Sequence, residues 1–309
     1  MMEISMGAGA GGFNWLAVHT ADQAGLLKRR GLSLAIKRLG AVDKATAAVK
    51  SGDVQIAITP PEGAIRDCAA GGDLRIVGGN MNRLPLTLVA QPRFKQVADL
   101  KGAKLGTSSL TEGTAIYTME MLAHHGLRYP GDYQFAVVGV HPARWKALQE
   151  GTIDAALQPI PFDFMALDAG YSNLGNVGDY IPEIVFTALI VNRAWAKQNR
   201  ATLVGLLGAL IEATRMIYDT ANDSLLIGIM MELGQTDREN ATRAITELRR
   251  REAFARDLEV PKAALAKSLE LMRKAKLADD ATVAAGSAVG DDSFRAEALK
   301  SVATPHSRE

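Results

Sequence analysis

Two short stretches hold the side chains best suited to meeting a polar ligand. Thr59-Pro60-Pro61-Glu62 and Ser109-Leu110-Thr111-Glu112 each place a hydroxyl three residues ahead of a carboxylate, the spacing of a helix capping box. In that reading Thr59 and Ser109 are N-caps, Pro60 suits the first helical position, and both carboxylates fold back onto the backbone. The remaining first-turn N–H groups, with the positive end of the helix dipole, favour a carboxylate, sulfonate or phosphate. Glu62 and Glu112 then do no more than cap, while the neighbouring Thr and Ser groups face a ligand.

Other chemistry is sparse. Gly7-x-Gly9-x-x-Gly12 has the literal dinucleotide spacing, but the following strand closes on Lys37 and Arg38 where a ribose-binding acid belongs. That leaves a phosphorylated nucleotide or a plain Gly-rich turn with exposed N–H groups. His124 and His125 are adjacent and cannot converge on one metal, and no zinc-protease, phosphate-loop or nucleophile-elbow motif occurs. The single cysteine, Cys68, reads as an inert buried thiol. Asp22, Asp154 and Asp163 have no evident partner. Phe13, Trp15, Tyr117, Trp145, Phe162 and Phe164 fall near loop–helix junctions, where they line a pocket or fill the core.

The elements that position these residues are read from hydrophobic periodicity. Ile4–Met6, Ser33–Lys37, Gln55–Ile58 and Leu74–Val77 are short apolar runs alternating with helical stretches near Trp15–Arg30, Val42–Ser51 and Glu62–Ala70. The alternation resumes with Lys104–Gly106, Thr111–His125, Gln134–Val138, Pro142–Glu150 and Ile153–Leu157. This predicts an α/β fold with mostly parallel sheets. After Asn192 only amphipathic helices remain, including Ala201–Asp219, Arg238–Ala255 and Pro261–Lys276, which must pack on an earlier lobe. An internal repeat links the two alternating regions: Gly31-Leu32, strand, helix, Gly52, strand, Pro60, then Gly126-Leu127, strand, helix, Gly151, strand, Pro159. Two copies suit two similar lobes facing each other.

The 309 residues carry 35 Lys plus Arg against 34 Asp plus Glu, a net charge of +1, so no charge excess points to nucleic acid or a membrane surface. One cysteine excludes an intrachain disulfide. The apolar stretch Leu203–Tyr218 is interrupted by Glu212 and Arg215, which argues against a spanning helix. Met1–Met6 runs directly into a Gly/Ala segment without the basic and apolar regions of a secretory leader. A cytoplasmic protein, or an exported one whose leader is not in this chain, both fit.

Gly11-Gly12-Phe13-Asn14-Trp15, Ala21-Asp22-Gln23-Ala24-Gly25-Leu26-Leu27, Lys50-Ser51-Gly52-Asp53-Val54-Gln55-Ile56-Ala57 and Asp99-Leu100-Lys101-Gly102-Ala103-Lys104-Leu105-Gly106 resemble the nitrate/sulfonate/taurine class of ABC-transporter solute-binding proteins. That class also includes proteins similar to thiamine-pyrimidine precursor synthases. The likeness covers roughly residues 4–200. It implies a type II periplasmic-binding-protein fold, with lobe 1 from residues 1–86 plus 188–309 and lobe 2 from residues 87–187. Leu86–Ala90 and Phe186–Val191 would cross between the lobes, and the C-terminal helices would pack on lobe 1.

The resemblance implies a monomeric, exported, periplasmic receptor that needs no cofactor. It would close on a small organic anion and deliver it to a membrane permease and its ATPase, without itself spanning the membrane or touching nucleic acid. The cleft would be lined by Gly12, Phe13, Asn14, Thr59, Pro60, Glu62, Asn80, Ser108, Ser109, Thr114, His141 and Gln158. The alternative is an enzyme on the same fold, a pyrimidine-precursor synthase or small-acid lyase, with Glu62, Glu112 and His141 as its only acid–base candidates. The cysteine-rich and histidine segment of such a synthase is missing.

Overall fold

The alternating pattern becomes two mixed five-stranded sheets of the same design in the computed structural model, which describes residues 1–303. The first sheet collects β1 (Met2–Ala8), β2 (Leu32–Arg38), β3 (Ile56–Thr59) and β4 (Leu74–Met81), connected by α1 (Leu16–Gln23), α2 (Val42–Ser51) and α3 (Glu62–Ala69). The second collects β5 (Leu86–Ala90), β6 (Lys104–Thr107), β7 (Gln134–Val137), β8 (Ala155–Pro159) and β9 (Ser172–Asn176), with α4 (Thr114–Ala123), α5 (His141–Gln149) and α6 (Phe162–Asp168) between them. The chain then returns to the first sheet through β10 (Thr187–Asn192).

Strand order is β2-β1-β3-β10-β4 in one sheet and β7-β6-β8-β5-β9 in the other. In each, four strands run in one direction and a single inner strand, β10 or β5, runs against them, and that strand has just arrived from the other sheet. These two strands are therefore paired on both sides within a sheet. The chain passes between the sheets at residues 82–85 and 177–186. The helix-ending glycines of the repeat behave alike: Gly52 and Gly151 take φ of 86° and 66°, a left-handed stop that an L side chain resists.

Helices fill the remainder: α7 (Arg193–Gln198), α8 (Arg200–Ile217), α9 (Asp223–Gly234), α10 (Arg238–Arg250), α11 (Lys262–Lys274), α12 (Asp280–Gly286) and α13 (Ser293–Ala303). Here α8 packs on α1 and β2, α13 on α8 and β4, and α12 on α3, while α11 also reaches α4 beside the second sheet. Among the described residues no single helix is long and apolar enough to cross a membrane; α8 and Thr220–Gly234 are bent through 96°.

Three expected helices are clearly shorter than their periodicity suggests; Arg238–Ala255 stops at Arg250, ahead of Glu252 at φ 47°. Trp15–Arg30 stops at Gln23 because Gly25 turns left-handed (φ 70°) before the short 3-10 turn at Lys28–Arg30. Thr111–His125 starts only at Thr114, after Gly113 (φ 69°). Cys68 is partly exposed rather than buried.

Candidate functional site

Three parallel-strand ends and the helices that follow them meet between the sheets. The N-terminal ends of α3, α4 and α5 border one cavity of about 70 Å³, several times the roughly 10–15 Å³ that one water occupies. None of these helices has a side chain accepting at its N-cap, and their positive dipole ends face the cavity, although the Glu62 carboxyl draws on the Glu62 and Gly113 N–H groups.

Seven expected residues line this space: Phe13, Asn14, Thr59, Pro60, Ser108, Thr114 and His141. Five do not. Gly12 lies behind the wall, where a Cβ would stand 2.7 Å from the His141 ring, so its missing side chain is what admits the imidazole. Asn80 braces the wall, its Nδ2 donating to the Asn14 carbonyl at 2.9 Å and to Thr187 Oγ1 at 3.0 Å. Ser109 Oγ accepts from the Thr111 N–H and stays in its own loop. Gln158 is fully buried beside Pro159, on the strand face it shares with Ala156, and its amide atoms have no partner. Glu62 is directed elsewhere.

Neither capping box forms. Thr59 Oγ1 donates to the Val42 carbonyl at 3.1 Å, and Pro61 occupies the N-cap position of α3. Gly113 takes that position in α4, and Glu112 pairs instead with Arg66 at 2.8 Å and Thr46 at 3.4 Å. Pro60 and Pro61 set the approach to α3 so that Thr59 ends β3 and lies too early in the chain to cap. Gly113 likewise delays α4 beyond the reach of Ser109. The fingerprint Gly7-x-Gly9-x-x-Gly12 is a sterically tight turn: Gly11 lies against the Arg38 guanidinium and Gly12 against His141.

The charge in the cavity comes from Arg144, which the residue patterns did not single out. It lies on α5, is 4% exposed and lines the cavity. Its Nε donates to the Leu157 carbonyl at 3.0 Å and its Nη1 to the Gly139 carbonyl at 3.4 Å. Burial lowers the guanidinium to about 10, leaving it charged at neutral pH, and no carboxylate among the described residues compensates it. His141 is neutral: burial first, then the Arg144 charge, lower it to about 3. Its Nε2 contacts the Gly11 carbonyl at 3.2 Å; a carbonyl only accepts, so Nε2 carries the proton. Phe13 stacks on Phe186 with centroids 6.2 Å apart, and both rings line the cavity.

Comparison with known proteins places this geometry. The NMT1/THI5 like family model matches residues 13–222, over half of the chain. The chain belongs to the NMT1/THI5-like family. Among solved structures, the periplasmic nitrate-binding protein NrtA from Synechocystis PCC 6803 superposes with a TM-score of 0.82 at 14% identity, over 98% of this chain and 89% of that one. The alkanesulfonate-binding protein SsuA from Xanthomonas axonopodis pv. citri, bound to MOPS, gives 0.76 at 18% identity over 92% and 97%. A Candida albicans protein described as having the generic periplasmic binding protein structural fold gives 0.75 at 13% identity over 94% and 97%. The fold of this NMT1/THI5-like chain is thus the periplasmic-binding-protein fold. Comparison with curated protein sequences returned no match.

Proposed function

We propose that this chain is the solute-binding receptor of an ABC importer, capturing a small organic anion between two lobes and presenting it to a permease and its ATPase. Residues 1–86 with 188–309 would form one lobe and residues 87–187 the other. The twelve residues expected at the cleft then divide into seven that touch the anion and five that support or neighbour them, with Arg144 added to the first group. Export to the periplasm accords with the periplasmic nitrate-binding neighbour.

The buried Arg144 guanidinium carries the anion reading. A charge taken out of water without a counterion is costly, and a bound anion offsets that cost. Three uncapped helix ends and the hydroxyls of Thr59, Ser108 and Thr114 add uncharged donors around it. Capture without turnover is favoured because the acid–base candidates do not converge on the cavity. His141 is held neutral far below the range of a physiological base, and Glu62 and Glu112 interact with each other instead.

Calorimetry and thermal-shift measurements with methanesulfonate, nitrate and acetate test this, with methylammonium as the cationic control. At least one anion should bind and raise Tm, and Arg144→Met should cost about 2–5 kcal/mol of that affinity. Preference for methylammonium, or anion binding untouched by Arg144→Met, would overturn the proposal.

A further inference from the structure

Outside the cavity, the contact between the two sheet units buries a pair of carboxylates that anion capture does not use. Glu62, on α3, is 1% exposed; its Oε1 accepts from the Tyr117 hydroxyl of α4 at 3.4 Å, and its Oε2 has no hydrogen-bond partner. Glu112 comes from the opposite side, in the loop entering α4. Its Oε1 accepts from Arg66 Nη2 of α3, and its Oε2 from Thr46 Oγ1 of α2. Gly63 allows the approach, since a Cβ there would stand 2.6 Å from Glu112 Oε1.

The groups facing the pair are Arg66 from α3, Asp43 and Thr46 from α2, and Tyr117 from α4. One guanidinium thus serves both glutamates, and it already pairs with Glu112. An ionised Glu62 in this buried position would have no ion-pair partner of its own, because Arg66 pairs with Glu112. A neutral Glu62 avoids the cost of the buried, unpaired charge.

We infer that bringing the two sheet units together takes up a proton at the Glu62–Glu112 pair, so that pH sets the balance between the closed and open receptor. This rests on the proposed two-lobe reading, and concerns its regulation rather than its ligand. In the closed form, burial and then the Glu112 charge raise Glu62 to about 8, against the opposing pull of Arg66 and of the Glu62 and Gly113 backbone N–H groups. Burial also raises Glu112 to about 7 despite Arg66. Opening returns both side chains to water and to the ordinary carboxylate range near 4.5.

The sign follows from these raised values. Below about 4.5 both forms are protonated and closure is indifferent to pH. Between about 4.5 and 8 closure absorbs protons, so the closed form loses ground as pH rises. The closed-to-open ratio falls about tenfold per pH unit for each proton taken up. Above about 8 the dependence levels off. Acidification holds the receptor shut, and alkalinity opens it.

Small-angle scattering of the ligand-free full-length chain from pH 5.5 to 9, at constant ionic strength, tests the inference. The radius of gyration should rise with pH in the unaltered protein and rise less steeply in Glu62→Gln, whose amide imitates the neutral acid and leaves only Glu112 to take up a proton. Carbon-13 NMR of labelled glutamate carboxyls supplies a second readout: two resonances should titrate above pH 6, and the higher of the two should be absent in Glu62→Gln. A radius independent of pH, a Glu62→Gln curve matching the unaltered protein, or no glutamate titrating above pH 6 would each overturn it. No ligand enters either measurement, so such a failure is separate from a failure of the methanesulfonate, nitrate and acetate experiment.

Discussion

Asn80 illustrates how single side chains hold the cavity in shape without touching its contents. It is buried, and its amide joins the Asn14 carbonyl on one wall to the Thr187 hydroxyl on the other. Asn80→Leu keeps the volume but leaves both partners unpaired, at a cost of about 1–3 kcal/mol in stability. Urea denaturation checks this; an unchanged midpoint would mean that water takes over both bonds. Among the cavity residues, Thr59 was legible because a strand end followed by prolines is marked locally, whereas Ser108 and Thr114 were reached only through the family resemblance. Arg144 was not legible, because one Arg in Ala143-Arg144-Trp145-Lys146 looks like any helical charge until α5 packs on β8. Glu62 and Glu112 were misread for the complementary reason. Their spacing fits a local motif, but partners distant in sequence, Tyr117, Arg66 and Thr46, claim them.

Elements were legible wherever a period and a stop coincide. α2 spans the expected Val42–Ser51 because Ala45, Ala48 and Val49 form a buried stripe and Gly52 ends it. β9 was not seen, since Ser172-Asn173-Leu174-Gly175-Asn176 has almost no apolar content and pairs only as an edge strand beside β5. The matching glycine stops of the two repeats also give an energetic prediction. Gly52 and Gly151 both have open space where a Cβ would go, so any penalty for Ala arises from backbone conformation alone. Gly52→Ala and Gly151→Ala should each lower stability by about 1–2 kcal/mol, measured by urea unfolding. Near-equal losses would mark the two stops as equivalent parts of one repeated unit. A loss at neither site would mean that the left-handed stops are dispensable.

Across the whole molecule, the cavity is enclosed by contacts between the two sheet units. His141 meets the Gly11 carbonyl, Arg66 reaches both Glu112 and the Thr111 carbonyl, Lys274 pairs with Glu120, and Arg243 with Asp168. The surface pairs among these contribute little individually, and in the proposed two-lobe receptor they must separate together for the cleft to open. Only residues 82–85 and 177–186 join the units covalently between β4 and β10, so the proposed opening would be a hinge motion, with a timescale of microseconds to milliseconds. Entry should therefore be gated. In stopped-flow or relaxation measurements with a bound anion such as methanesulfonate, the observed association rate should level off as concentration rises, at a plateau set by opening. A rate that stays linear in concentration, with a slope in the ordinary range of about 10⁵–10⁷ M⁻¹s⁻¹ or above, would show that the free protein is already open. The enclosed arrangement would then be the bound form alone.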